Sequence, residues 1–236
     1  MKTLQKIYEG KAKTLFTTED PALLIQYFKD DATAFNAQKR GTIVNKGVIN
    51  CAVSSTLFQF LETQGIKTHF VGKLSDREML VKKVEIVPVE VVVRNYLAGS
   101  LSKRTGKPEG EKLSETLVEW YYKDDALGDP MVTKDHIRVF KWATPAELQK
   151  IETLARKINE LLVPYFEKRG LKLVDYKLEF GRYNGEILLA DEITADGCRL
   201  WDLKTGEKMD KDRFRLDLGK IEESYQEVYK RVVEAK

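Results

Sequence analysis

Residues 173–180 read Leu173-Val174-Asp175-Tyr176-Lys177-Leu178-Glu179-Phe180 and alternate between apolar and polar side chains from Val174 onward. A period of two is typical of a β-strand whose faces meet different surroundings, so Asp175, Lys177 and Glu179 share one face. The pair Asn184-Gly185 follows as a tight turn, and residues 187–193 form the predicted partner strand. A turn this short joins antiparallel strands, so the sequence predicts an antiparallel sheet at this point.

Upstream of this hairpin, residues 145–168 are predicted to form a helix. Thr144 stands at the N-cap position, Pro145 at the first helical position and Glu147 three residues after the cap, and Gly170 follows as a stop. The remaining predicted elements are an N-terminal hairpin turning near Gly10, strands over residues 11–17, 23–28, 69–74 and 79–84, and helices over residues 44–62 and 220–233.

This mixture of helices and antiparallel strand pairs indicates the α+β class. We expect a small strand-rich lobe over residues 1–85 and a larger α+β lobe over residues 86–236.

Composition indicates a globular cytoplasmic protein. The 236 residues carry a net charge of only +3, which gives little support to nucleic-acid binding. The N-terminus beginning at Met1 lacks the apolar core of a signal peptide, and no stretch is apolar enough to span a membrane. Cys51 and Cys198 are far apart in the sequence and are expected to be free thiols in a reducing compartment.

Several common motifs are absent from the sequence. The 15 glycines never occur as Gly-x-Gly, which excludes the dinucleotide fingerprint and the kinase-type glycine-rich loop. There is no ordinary phosphate loop, no serine nucleophile elbow and no zinc-ligand spacing. A nucleotide would therefore have to be bound by lysines, carboxylates and strand backbone.

The segment 8–13 places Lys11 and Lys13 two residues apart after Gly10. On a strand this spacing puts both ammonium groups on one face, where they could close over a polyphosphate. An ordinary solvated hairpin explains the same pattern, and the local sequence leaves both interpretations open.

Glu179 and Asp191 lie on the two strands of the predicted hairpin and could together hold magnesium through oxygen ligands. A two-residue turn would pair Asp191 with Leu178, on the wrong face for Glu179. We therefore expect a three-residue loop or a β-bulge that brings Asp191 opposite Glu179. The alternative is a polar strand face on which Lys177 forms a surface ion pair.

Arg94 follows an apolar strand and precedes the turn Ala98-Gly99-Ser100. Because an unpaired arginine is costly at such a position, it should contact a phosphate or a carboxylate, and a carboxylate of the protein is the commoner partner. Arg199 lies beside a second glycine turn and is less informative by itself.

Taken together, segments spread over the whole chain resemble the SAICAR synthetase (phosphoribosylaminoimidazole-succinocarboxamide synthase) family of purine biosynthesis. They occur in the family's order at residues 8–13, 33–36 (Thr33-Ala34-Phe35-Asn36), 46–47, 90–100, 129–131, 173–181, 189–202 and 209–212. The chain departs from the family pattern at Ala195, where proline is usual, and at Cys198, where serine is usual. These departures leave open how rigid the turn is and whether a hydroxyl contact exists there.

The resemblance implies a two-lobed ATP-grasp-like fold with the nucleotide in the cleft between the lobes. It also implies a magnesium-dependent ligase that joins L-aspartate to a carboxyaminoimidazole ribonucleotide through an acyl phosphate, consuming ATP. A homodimer is expected by the same analogy.

Site residues carried over from the family fall into three groups. The ATP contacts are Lys11, Ala12, Lys13, Lys82 and Lys123, and the metal ligands are Glu179 and Asp191. The substrate contacts are Arg94, Ser100 and Arg199 at the ribonucleotide phosphate, Asp175 and Lys177 near its imidazole ring, and Arg215. Asp175 and Lys177 are also the catalytic candidates. The loop at residues 124–129 is expected beside the entry of aspartate.

Two rival functions remain on the sequence alone. A small-molecule kinase would use the same lysines and magnesium but would not depend on aspartate. A nucleic-acid-binding module would need aromatic residues interleaved with basic ones, and the sequence does not show that pattern.

Overall fold

The computed structural model describes residues 3–34 and 39–234 of the chain. Met1, Phe35 and Asn36 lie outside these described residues. Within them the fold is α+β, as predicted, and paired strands run antiparallel. No helix in this described part is both long and apolar enough to cross a membrane.

Short strands at the N-terminal end of the chain give way to longer strands and helices further along. The strands are β1 (Lys6–Glu9), β2 (Lys13–Thr17), β3 (Leu23–Phe28), β4 (Asp31–Ala34), β5 (Lys39–Thr42), β6 (Phe70–Lys73), β7 (Glu78–Lys82), β8 (Glu85–Tyr96), β9 (Lys112–Tyr122), β10 (Met131–Val132), β11 (Leu171–Tyr183), β12 (Glu186–Ala190) and β13 (Cys198–Asp202). The helices are α1 (Lys46–Thr63), α2 (Gly99–Thr105), α3 (Lys134–Val139), α4 (Pro145–Glu167), α5 (Asp212–Arg215) and α6 (Ile221–Tyr229), which continues as a π-helix over Lys230–Glu234.

Two large sheets dominate the structure. The first has the strand order β1-β2-β3-β7-β6, and the second has the order β10-β9-β8-β11-β12, with β13 also paired to β11. Strands β4 and β5 form a separate pair. Strands β2, β3, β6 and β7 lie within two residues of their predicted limits.

The chain passes from the first sheet to the second between Lys82 and Glu85. Backbone hydrogen bonds connect the sheets, because His69 N donates to Leu189 O at 2.8 Å and Leu189 N donates to Lys67 O at 3.1 Å. One continuous apolar cluster also draws side chains from both sheets. The division of the chain into lobes at residues 85 and 86 stays a prediction.

Helix α4 confirms the predicted capping box. The Thr144 hydroxyl accepts a hydrogen bond from Glu147 N, and the Glu147 carboxylate accepts one from Thr144 N. The buried face of the helix, which includes Ile151, Ile158 and Phe166, belongs to the main apolar cluster. This packing covers one side of β8 and β11 and leaves their polar face free to form a site.

The β11–β12 hairpin corrects one sequence prediction. Tyr183 pairs with Glu186 and Glu179 pairs with Ala190, so the loop is the two-residue Asn184-Gly185 turn, with no bulge between these strands. The expected three-residue loop or bulge is therefore wrong. Asp191 instead lies just beyond the end of β12 in the left-handed conformation, with φ of 63°. That conformation lets its carboxylate reach Lys177, which also contacts Glu179.

Gly185 provides a test of this turn. Its φ is +78° and an added Cβ would meet no atom within 4 Å, so a substitution there has a backbone cost alone. We expect Gly185→Ala to lower the free energy of unfolding by about 1–2 kcal/mol, measured by urea denaturation. Gly72→Ala is the matched control, because Gly72 also has open space and lacks a positive φ. Equal stability of the two variants would contradict the left-handed turn.

Candidate active site

A polar cavity of about 390 Å³ lies over the polar face of β8 and β11, beneath the β1–β2 turn. Twelve of the thirteen predicted site residues line it: Lys11, Ala12, Lys13, Arg94, Ser100, Lys123, Asp175, Lys177, Glu179, Asp191, Arg199 and Arg215. Lys82, the thirteenth, lines an adjoining apolar cavity of about 280 Å³ together with Leu15, Leu24, Val81, Val84 and Ile86. Lys13, Lys123, Glu179 and Asp191 line both cavities, so the two cavities adjoin at these residues.

The turn between β1 and β2 places its two lysines differently. Lys11 is half exposed and reaches across the cavity mouth to Asp125, with 2.6 Å between Nζ and Oδ1. Lys13 is largely buried and contacts both Asp191 and Glu192, at 2.9 Å from the Glu192 carboxylate. Lys13 is therefore not the solvated residue that an ordinary exposed hairpin would carry.

A cluster of lysines and carboxylates occupies the centre of the cavity. We call it the lysine–carboxylate cluster, and its members are Lys13, Lys123, Lys177, Glu90, Glu179, Asp191 and Glu192. Lys177 lies 2.5 Å from Glu179, 3.1 Å from Glu90 and 3.4 Å from Asp191. Lys123 adds a contact of 3.0 Å to Glu179.

The lysines around Glu179 favour the ionised form of its carboxyl group. Burial alone would raise the pKa of its carboxyl, but Lys177, Lys123 and Lys13 outweigh burial and hold that pKa well below its usual value. Burial would likewise lower the pKa of Lys177, and the facing Glu179 and Glu90 raise it instead. The alternative of an isolated surface ion pair at Lys177 is therefore too simple, because three carboxylates surround this ammonium group.

The carboxylates of the cluster suit a divalent cation that prefers oxygen ligands. Glu179 and Asp191 are both buried, and both have lysines as their present partners. No group of three or more His, Cys, Asp or Glu within residues 3–34 and 39–234 is arranged to hold a metal by itself. This donor set fits magnesium, which commonly binds one or two carboxylates and takes its other ligands from phosphates and water.

A network of arginines and carboxylates forms the opposite end of the cavity. Arg94 is buried and donates to Glu119 at 2.7 Å, to Asp175 at 2.6 Å and to Ser100 at 3.0 Å. Arg94 thus has protein carboxylates as partners, the commoner of the two expected fates, and it also lines the cavity. Arg199 contacts the same Asp175 at 3.0 Å.

Arg199 continues this network and explains a nearby glycine. Its Nε donates to Asp212 at 2.7 Å. Its guanidinium packs directly against Gly99, whose φ is +54°, and an added Cβ there would overlap it. The small-residue turn after β8 therefore makes room for Arg199.

The turn at residues 194–198 is well supported without the family's usual proline at Ala195. Thr194 O accepts hydrogen bonds from Gly197 N at 3.1 Å and from Cys198 N at 2.9 Å. Gly197 O in turn accepts from Lys177 N at 3.0 Å. Cys198 is buried, and burial raises the pKa of its thiol. Its side chain packs in the apolar cluster.

Sequence reasoning missed several members of the site. Glu90 and Glu192 belong to the lysine–carboxylate cluster, and Glu119, Lys211 and Asp212 support the arginines or line the cavity. A signal for Glu90 was present, because it is the one charged residue in the apolar run at residues 86–93. Glu119 had no such signal, since its strand β9 was not predicted.

Comparison with known proteins identifies the family. The family described as SAICAR synthetase matches residues 6–232. The phosphoribosylaminoimidazole-succinocarboxamide synthase of Pelodictyon phaeoclathratiforme is 58% identical over 234 residues, which make up 99% of each chain. The crystal structure of the synthase from Ehrlichia chaffeensis has a TM-score of 0.96 at 48% identity, covering 98% of this chain and 100% of that one. A SAICAR synthetase in complex with ADP has a TM-score of 0.93 at 49% identity, covering 97% and 98%.

The chain therefore belongs to the SAICAR synthetase family.

Arg94 should contribute strongly to the stability of the fold, because it forms buried ion pairs with Glu119 and Asp175. Arg94→Met would leave two buried carboxylates short of a partner, and we expect it to lower the free energy of unfolding by about 3 kcal/mol or more. Arg104→Met is the matched control, because Arg104 contacts the same Glu119 from a side chain that is 36% exposed, and its loss should cost less than about 1 kcal/mol. Denaturant unfolding measures both. Similar losses in the two variants would show that the burial of Arg94 adds little to the free energy of unfolding.

Proposed function

We propose that this protein joins L-aspartate to 5-amino-1-(5-phosphoribosyl)imidazole-4-carboxylate, with conversion of ATP to ADP and phosphate, and so forms SAICAR in purine biosynthesis. The observation that carries this proposal is the convergence of twelve predicted site residues on one cavity in a chain of the SAICAR synthetase family. The relative of similar structure that binds ADP supports the nucleotide as co-substrate.

The nucleotide is proposed to occupy both adjoining cavities, in an ATP-grasp-like arrangement of two lobes. The apolar cavity suits the base, and Lys82 is at its edge. Lys13 and Lys123 lie where the two cavities join, and Lys11 and Ala12 line the polar side, so the phosphates would extend toward these residues. The homodimer expected from the family resemblance is part of the same proposal, and its mass in solution tests it.

Magnesium is proposed to bind Glu179 and Asp191 together with the phosphates. Lys13 and Lys177 neutralise these carboxylates in the present structure. When bound, the cation would supply charge neutralisation for the transferred phosphoryl group.

The ribonucleotide is proposed to place its phosphate at Arg94, Ser100 and Arg199. Guanidinium groups bind phosphate oxygens through paired hydrogen bonds, and Arg94 and Arg199 already converge on Asp175. Lys177 lies two residues further along the same strand face, so the imidazole carboxylate would lie between Asp175 and Lys177. Arg215 is a further substrate contact.

The reaction then needs two displacements. A carboxylate is a poor acyl donor, so one of its oxygens first attacks the γ-phosphorus of ATP, and ADP leaves. The aspartate amine next attacks the acyl carbon, phosphate leaves and the nitrogen loses a proton. Such transfers depend chiefly on positioning and on charge neutralisation, which Lys13, Lys123 and Lys177 can provide.

The decisive experiment measures ADP release by the purified protein with ATP, magnesium and the ribonucleotide, with and without L-aspartate. Release that requires both co-substrates, with the ultraviolet change of a new amide, is the expected result. A stable phosphorylated product formed without aspartate would indicate a small-molecule kinase instead.

The two proposed metal ligands can be tested by isosteric neutral variants. We expect Glu179→Gln and Asp191→Asn each to lower kcat by about 100-fold or more while the protein remains folded, since a neutral amide is a weaker ligand for the magnesium that would neutralise the reacting phosphate. Asparagine also tolerates the left-handed backbone of Asp191. Glu186→Gln, on the same hairpin but bonded to Lys67 at the surface, is the control and should keep normal activity. Near-normal rates of the two cavity variants at limiting magnesium would contradict the metal assignment.

A further inference from the structure

Glu109 lies outside the polar cavity, and its carboxylate connects two segments of the chain that lead into it. One carboxylate oxygen accepts a hydrogen bond from Gly99 N at 2.8 Å, and the other accepts one from Lys208 Nζ at 2.8 Å. Burial would raise the pKa of the Glu109 carboxyl, but Lys208 and the Gly99 amide hold that pKa below its usual value. Glu109 is therefore ionised at neutral pH and joins the two segments through its charge.

The first segment is the turn from β8 into α2. Gly99 directly precedes Ser100, whose hydroxyl accepts a hydrogen bond from Arg94 at 3.0 Å inside the cavity. Gly99 has a φ of +54°, and an added Cβ would overlap the guanidinium of Arg199. Because glycine restricts the backbone least, the hydrogen bond from its amide to Glu109 helps to fix this turn. A shift of the turn would move Ser100 and change the space for Arg199.

The second segment carries Lys208 and runs beside β13. Lys208 forms an antiparallel bridge with Trp201 on that strand, and its ammonium group lies 5.8 Å from the centre of the Trp201 ring. Arg199 is two residues earlier on the same strand. The ion pair between Lys208 and Glu109 therefore links the strand that presents Arg199 to the turn that presents Ser100.

Backbone hydrogen bonds hold the loop around Glu109 in place independently of its side chain. Gly110 N donates to Leu97 O, and Leu97 N donates to Glu111 O, both at 2.8 Å. The loop therefore stays attached to the end of β8 when the Glu109 side chain is shortened. This attachment allows the link made by the carboxylate to be tested in a folded protein.

We propose that Glu109 is a positioning residue for the ribonucleotide, which holds Ser100 and Arg199 at the separation that suits the phosphate. The inference rests on the proposed function, in which these two side chains share that phosphate with Arg94. Three groups on separate segments bind one phosphate well only when the segments keep a fixed spacing. Glu109 provides this spacing from behind the cavity wall and acts through the residues that line the cavity.

Steady-state kinetics of the full chain test this inference, with each of the three substrates varied in turn. We expect Glu109→Ala to raise the KM for the ribonucleotide about fivefold or more, the effect of one lost hydrogen bond, and to change the KM for ATP and for L-aspartate less than about twofold. Glu109→Gln keeps an acceptor for Gly99 N and should retain most of the affinity. Glu111→Ala is the matched control, because Glu111 is exposed and bonds to Leu97 through its backbone.

An unchanged KM for the ribonucleotide in Glu109→Ala would overturn the inference. Equal rises in the KM for all three substrates would also overturn it, because they would indicate a general structural role.

Calorimetric titration with the ribonucleotide in the presence of ADP separates this inference from the proposed function, since no amide has to form. Binding that is weaker in Glu109→Ala than in Glu109→Gln and the unchanged protein would support the positioning role even if the ligase assay failed. Equal binding by all three proteins, or no binding by the unchanged protein, would refute it. Absence of ADP formation by the unchanged protein, by contrast, would refute the ligase.

Discussion

Two glutamates face each other in the middle of the second sheet, and the surrounding site is organised by the need to neutralise them. Glu179 on β11 is the direct partner of Glu90 on β8. Like charges in this arrangement repel, and burial without a counter-ion is costly. Lys177 contacts both carboxylates, and Lys123 and Lys13 complete the balance around them. The lysines are therefore a condition for placing carboxylates inside the cavity, in addition to any role toward a phosphate.

The same logic extends along β11 because its polar face alternates in charge. Asp175 holds Arg94 and Arg199, and Lys177 and Glu179 follow on the same face. Helix α4 covers the opposite face, so one thirteen-residue strand separates a packed apolar interior from a charged cavity. This separation explains why the residues that define the fold and those that define the site occur in a single stretch of sequence.

Much of this organisation could be predicted from local patterns. The alternation of apolar and polar residues predicted that Asp175, Lys177 and Glu179 share one face of a strand. The capping box predicted that helix α4 begins after Thr144. The N-terminal strands followed from their apolar runs. These features depend on neighbouring residues only, which is why the sequence reveals them.

Other features depend on contacts between distant segments and were missed. Strand β9 has several exposed positions and a weak alternation, so nothing in its sequence indicated that it supplies Glu119 to Arg94. The hairpin prediction located the Asn184-Gly185 turn correctly, but it placed Asp191 opposite Glu179 because it assumed that the side chain must point to the face set by strand register. Asp191 is outside β12 and escapes that rule.

The left-handed backbone at Asp191 also limits how this site can diverge among related proteins. Aspartate and asparagine are among the few residues other than glycine that adopt this conformation readily, whereas a longer glutamate is less suited to it. The charge at this position is therefore tied to a short side chain. Glu179 carries no such restriction, because an extended strand accepts side chains of either length. A substitution that changes the distance between these two carboxylates is consequently easier to accommodate at position 179 than at position 191.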